Sequence, residues 1–396
     1  LQGDRRKEVA TVTDADPRKL STERESALDG LRGAGAIAVM AYHVFDFFPI
    51  HEGVRAALLA SPVGVLFNGL GALHVFFVLS GHVLALSLGR DDRPARLPRF
   101  YARRLFRIHP PYVAAVLFAW VMTLGPRRFT DGQGPMLASA ACFHLPADLL
   151  PRALMLPSMA MGQLPVGWSL FVELAMSLLF PLMLWFVRRT HPLALVALGL
   201  LLVWPAHPRL GFLIFTFDFT LGIAVHLASD RIGAALVAAK RSAIAALLVL
   251  AVVLLQLPYA ISFWTTGSSG MHARYSPMMI IPMSLGAAIL VAAAIHRGSV
   301  RRFFSGRWIA GLGTISFSFY LIHFTVLTFL VCRYTGYDLS ALSAIGVGVV
   351  AFVISIGLSI LGYRFIERPA MRAGSAMTRR MGARRDPPPP APGTSP

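Results

Sequence analysis

Charge, cysteine and lysine are scarce in this chain. Only 14% of its 396 residues are charged, too few to cover a soluble protein of this length. Two cysteines exclude a disulfide framework and a zinc site built from thiolates. Lysine occurs 3 times against 34 arginines, the codon bias of a GC-rich genome rather than a chemical requirement. No phosphate-cradling glycine loop, metal-ligand constellation or serine elbow stands in the sequence, which argues against a nucleotide-hydrolysing or zinc enzyme. The first 27 residues lack the apolar centre of a secretory signal. No internal repeat is evident at the level of motifs.

Long apolar runs are what the chain does have. Hydrophobic residues make up 56% of it, mean hydropathy is +0.63, and several runs reach the roughly 20 residues that span a bilayer. A span in lipid must satisfy its backbone internally, so the expected fold class is all-α: a polytopic membrane helix bundle. About ten transmembrane helices are expected, near residues 31–50, 64–88, 105–125, 166–187, 192–206, 210–228, 243–263, 276–296, 308–331 and 341–363.

The net charge of +18 is a topology signal. With the N-terminus in the cytoplasm, inner segments hold 30 of the 37 Lys and Arg residues and outer segments hold 7. That asymmetry predicts both termini inside. Nucleic acid is not an expected partner, because no basic groove interleaved with aromatics accompanies the charge. The expected organisation is a flexible basic tail over 1–27, a membrane domain over 28–371, and a disordered Arg/Pro-rich tail over 372–396. Residues 126–165 form the one long outer connection. Cys142 and Cys332 both fall on the outer side, with no spacing that argues for pairing.

Two residues in the first span need a reason to be there. Arg32 and His43 are eleven positions apart, about 1100° of helix, so they share a face about 16–17 Å apart along the axis. With Arg32 at the inner boundary, His43 lies near the middle of a hydrocarbon layer about 30 Å thick. An ionisable side chain at that depth is a candidate functional group.

Arginine, ten residues, then histidine, introduced by LDGLRG, resembles the acyltransferase 3 family of integral-membrane O-acyltransferases. Further motifs follow in family order. They are FFVLSGHVL from Phe76, RRLFRIHP from Arg103, VGWSLFVEL from Val166, ISFSFYLIH from Ile315 and YRFIERP from Tyr363. Two positions depart from the pattern: His82 stands where the family has an aromatic residue, and Phe317 where it has tyrosine.

The resemblance implies transfer of an acyl group from acyl-coenzyme A, a co-substrate rather than a bound cofactor, to a hydroxyl, with no metal. A neutral alcohol is a poor nucleophile, and histidine is the base tuned to the working pH range. His43 is the candidate base, either directly or through an acyl-imidazole. Arg32 is the second catalytic candidate, either contacting the donor's phosphate or pantetheine or stabilising the oxyanion. Glu173, a carboxylate inside a span, needs a partner; it is expected to pair with Arg32 or orient His43.

Arg103, Arg104 and Arg107 gather at the inner surface, where a polyanionic donor must stay, and are the donor-binding candidates. Trp168, Ser169, Tyr320 and His323 are the substrate-binding candidates, with Trp168 either stacking on a sugar or sitting in an interfacial belt. Ser80 and Gly81 suit close helix packing. Glu367 with Arg364 and Arg368 reads as an ion cluster. The expected acceptor is a sugar-bearing molecule, a glycosylated macrolide-type antibiotic first and a cell-envelope glycan or its lipid-linked precursor second. A proton-coupled secondary transporter is the rival of a different class, since intramembrane His, Arg and Glu also suit transport.

Overall fold

Apolar runs that cannot hydrogen-bond to water close their backbone bonds internally, and helices are the only regular elements among the described residues. The structure, a computed structural model, describes residues 17–46, 51–89, 97–123, 150–155, 164, 166–204, 208–268, 277–334 and 341–383. The helices in chain order begin with α1 (Pro17–Asp46), α2 (Glu52–Ala60), α3 (Gly69–Leu88), α4 (Leu97–Thr123) and α5 (Leu150–Met155). There follow α6 (Gly167–Arg189), α7 (Pro192–Leu201), α8 (Thr216–Leu227), α9 (Ser229–Ala238) and α10 (Arg241–Thr266). The chain continues with α11 (Pro277–His296), α12 (Gly298–Phe304), α13 (Arg307–Tyr334), α14 (Ala341–Gly362) and α15 (Arg368–Ala383). A single π turn, Tyr363–Glu367, joins α14 to α15.

The chain is a multi-pass, all-α membrane bundle. Seven helices among the described residues are long and apolar enough to cross a bilayer, or eight if α8 and α9, which meet at a 74° bend, form one broken span. Of the ten expected spans, α1 and α7 fall outside that set. Helix α7 has only 10 residues, about 15 Å of helix. Helix α1 carries Asp29 and Arg32 and is wrapped by α3, α11, α12 and α13. A helix sheathed by protein can carry polar groups that a lipid-facing helix cannot.

Burial separates the inner helices from the outer ones. In α3, 72% of the most apolar window is buried, against 28% in the window covering α14 and α15 and 33% in α10. Thus α3 is a central post, and α10 and α14 lie at the periphery of the bundle. Its start is fixed locally: Asn68 caps α3 by accepting from Gly71 N at 2.6 Å, while its amide donates to Leu255 O at 2.8 Å and so ties the cap to α10.

The tightest packing lies between α1 and α13. They run parallel, with Gly33 against Gly313 and His43 beside His323. A Cβ on Gly313 would collide with the carbonyl oxygen of Asp29, a backbone atom that cannot step aside. Gly81 and Gly222 bring α3 and α8 together in the same way. Gly313→Ala is therefore expected to cost about 1–3 kcal/mol of stability or more through overpacking. Gly311→Ala, where a methyl meets nothing within 4 Å, is expected to be neutral. Thermal unfolding of the two variants in detergent checks the contrast.

The described part of each expected tail is helical. Residues 17–27 continue α1 upstream of the membrane domain, with Pro17 at a helix start that tolerates its missing N–H. Residues 372–383 belong to α15 rather than to a disordered tail. Gly374 there lets α15 lie against Phe106 of α4. Residues 1–16, 384–396 and most of 126–165 lie outside the described residues, Cys142 among them; Pro208–Phe215 is a 3-10 turn leading into α8.

Candidate active site

A cavity enclosing about 1270 Å³ of empty space, open solvent at its mouth included, lies between α1, α3, α4, α6, α13 and the π turn. Its composition changes along its length. At one end stand Asp29, Arg32, Arg104, Arg107, Glu173 and Glu367; toward the other, Leu73, Phe76, Phe77, Ser169 and Tyr320. Along α3 the lining runs from Val83 to Leu73, ten residues or roughly 15 Å of depth. The π turn contributes directly: its wider winding presents both Tyr363 and Glu367 to the cavity.

The charged end is balanced, and its pairing differs from expectation. Glu173 pairs with Arg104, not with Arg32: Arg104 Nη2 donates to Glu173 Oε1 at 2.9 Å, and Arg104 also donates to Ser177 Oγ at 3.0 and 3.1 Å. The Ser80 hydroxyl lies 3.4 Å from the same Glu173 oxygen. Ser80 is therefore part of the cavity wall as well as of the helix contact. Arg32 pairs with Asp29, one turn earlier on α1, at 2.6 Å. Glu367 is buried and accepts the Ser318 hydroxyl at 2.7 Å, in place of the expected ion cluster with Arg364 and Arg368, which are exposed.

Arg107 is the cavity cation with no carboxylate within ion-pair distance among the described residues; the sulfur of Met371 is 4.0 Å from it. Arg103 is exposed, does not line the cavity, and returns to the Arg99 carbonyl at 3.4 Å. Four residues of helix, about 400° of rotation, put Arg103 and Arg107 near one face, and Arg104 about 100° away. Cavity access therefore depends on depth along α4 as well as on azimuth.

The cavity ends at a polar floor. Ser169 and Tyr320 share a hydrogen bond of 2.6 Å across it, and the Tyr320 ring meets Phe76 edge-on at 6.1 Å. His43 does not line the cavity. It stands beyond the floor, its ring 5.4 Å from that of His323, with Phe324 at 4.8 Å and Tyr42 at 5.3 Å. Tyr320 precedes His323 by three residues, so the floor is about 4.5 Å, one turn, short of the histidine pair. His43 is half-buried and His323 fully buried.

Of the residues singled out in the sequence, the structure gathers Arg32, Arg104, Arg107, Ser169, Glu173 and Tyr320 on one cavity and places His43 and His323 one layer deeper. It leaves Arg103 outside, and Trp168 packs near Phe215, with ring centroids 5.5 Å apart, rather than on the cavity. Asp29 and Ser177 were not singled out. Each sits one helical turn from a charged candidate, the spacing at which side chains meet, and that was the available signal. His74 forms a fully buried pair with Asp218 at 2.9 Å, away from the cavity, and ties α3 to α8.

No solved structure matches this chain. Over 175 residues it is 33% identical to acyltransferase MdmB of Streptomyces mycarofaciens, a match covering 42% of this chain and 41% of that protein. The chain thus aligns with about two fifths of the relative's length. A family profile described as an acyltransferase domain matches residues 25–364. That range takes in the first helix with Arg32 and His43, the five helical walls of the cavity and the first residues of the π turn. This chain belongs to the acyltransferase 3 family.

Proposed function

We propose that this membrane acyltransferase moves an acyl group from acyl-coenzyme A to a hydroxyl of a sugar-bearing acceptor. The supporting observation is the cavity itself: charged at one end, with Arg107 outside any ion pair among the described residues there, apolar beyond, and ending one turn short of an imidazole pair. With both termini in the cytoplasm, its charged mouth opens on the side that carries most of the chain's arginine, where a polyanionic donor is made and retained. The phosphates bind near Arg107, which has no carboxylate within ion-pair distance among the described residues. The pantetheine arm extends toward Tyr320, and the thioester reaches His43 once the Tyr320 ring turns aside.

His43 takes the proton of the acceptor hydroxyl as its oxygen attacks the thioester carbon. The carbon–sulfur bond breaks, and the thiolate takes up the proton to leave as free thiol. Arg32 lies about 16–17 Å from His43 along α1, too far to touch the same carbonyl, so its role is on the donor side. Glu173 holds Arg104 in the cavity wall.

The acceptor we propose is a glycosylated macrolide-type antibiotic. Its support is the partial likeness to a Streptomyces acyltransferase. Membranes containing the protein, given acyl-coenzyme A and a glycosylated macrolide, should release free thiol and yield a product heavier by one acyl group. Thiol release with a cell-envelope glycan and not with the macrolide transfers the assignment to that glycan. Uptake of labelled substrate into vesicles without thiol release defeats the enzyme reading.

The arginines give a sharper prediction. Removing one charge-assisted contact costs about 1.5–3 kcal/mol, roughly tenfold to a hundredfold in binding. Arg107→Ala is expected to raise the donor KM by that factor and leave the acceptor KM unchanged, whereas Arg103→Ala is expected to leave both near wild type. Initial rates over a donor series distinguish the two variants.

A further inference from the structure

His323 is fully buried, and its ring is fixed from two sides. Nδ1 lies 3.1 Å from the carbonyl oxygen of Phe319, one turn earlier on α13. The ring also stacks on Phe319 at 5.7 Å with only 10° between the planes. A carbonyl accepts, so Nδ1 carries the hydrogen, and Nε2 is left with a lone pair. That Nε2 is buried and has no hydrogen-bond partner among the described residues. An acceptor atom in such a place is destabilising unless a donor reaches it. The nearest polar ring is that of His43, 5.4 Å away and tilted by 33°.

We propose that His323 is a positioning residue for His43, its Nε2 accepting the N–H of His43 that develops positive charge when His43 takes the acceptor's proton. The inference rests on His43 being the base. Neutral His43 carries a hydrogen on one ring nitrogen and a lone pair on the other. Directing the N–H at His323 Nε2 turns the lone pair toward the reacting hydroxyl. In the attack, the hydroxyl proton goes to that lone pair and the new carbon–oxygen bond forms as the carbon–sulfur bond breaks. The imidazolium then returns its proton to the departing thiolate. His323 gains and loses no proton; it sets which nitrogen of His43 is the base and stabilises the charged ring. Parallel packing of α1 and α13 at the Gly33–Gly313 contact holds the two rings at one level.

The test compares His323→Leu, His323→Gln and His43→Ala by initial-rate kinetics in both substrates, with thermal unfolding of each variant. His323→Leu should lower kcat by about tenfold to a hundredfold, the loss typical when a histidine loses the partner that orients its ring. Both KM values should stay within about twofold of wild type. His323→Gln, whose side-chain oxygen can accept the same N–H, should recover part of the rate. Wild-type kcat in His323→Leu, with His43→Ala inactive, overturns the inference alone. Equal losses in the Leu and Gln variants that track lowered unfolding midpoints also overturn it, marking His323 as a packing residue. Normal turnover in His43→Ala removes the base assignment and this inference with it.

Discussion

His43→Ala abolishes measurable acyl transfer while the protein remains folded and inserted: that is the expected result with the largest effect. A positioned general base contributes about 10²- to 10⁴-fold in rate. The substitution removes a half-buried ring lying against Tyr42, His323 and Phe324. The packing loss is therefore modest, and inactivity can be separated from unfolding. Thiol release and product mass give the activity; a monodisperse profile in detergent and an unchanged donor KM in any residual rate give the integrity. Near-normal turnover would falsify the base assignment.

The second large effect concerns the wall of the cavity. Glu173→Leu leaves Arg104 facing Arg32 and Arg107 across the same space with its carboxylate gone. Breaking one side of a buried pair costs about 3–5 kcal/mol. Here the side chains are 14% and 24% exposed, so about 1–3 kcal/mol is expected, with most donor binding lost as the wall repels itself. The double variant Arg104→Leu/Glu173→Leu should be more stable than Glu173→Leu alone, because the stranded charge is gone. Thermal unfolding of the two single variants and the double one measures the coupling. A Glu173→Leu protein as stable as wild type would show that the pair carries no weight.

Much of the candidate site was legible because its residues break a rule of their surroundings. Arg32, His43, Glu173 and His323 are polar groups in apolar helices, and each marks itself by that mismatch. Partners were less legible. Glu173 had several arginines within plausible reach, and only the approach of α4 to α6 selected Arg104. Arg103, Arg104 and Arg107 look alike in sequence, yet Arg103 lies off the cavity, Arg104 lines it paired with Glu173, and Arg107 lines it outside any ion pair among the described residues. The ordered stretches in both tails were hidden by composition. Packing of Gly374 on Phe106 overrides the disorder that an Arg-rich segment suggests.

The chain by itself determined the solvent, the secondary structure and the family. Hydrocarbon leaves a backbone no partner but its own, and the order of short polar motifs within greasy runs is rare enough to point to one family. Only the folded bundle decided which charges face one another, where the cavity stops, and that His43 lies one turn past its end beside His323. Those relations join residues from 69 positions apart, as for Arg104 and Glu173, to 280 apart, as for His43 and His323. They depend on how closely glycine lets α1 and α13 approach, a distance no local spacing encodes.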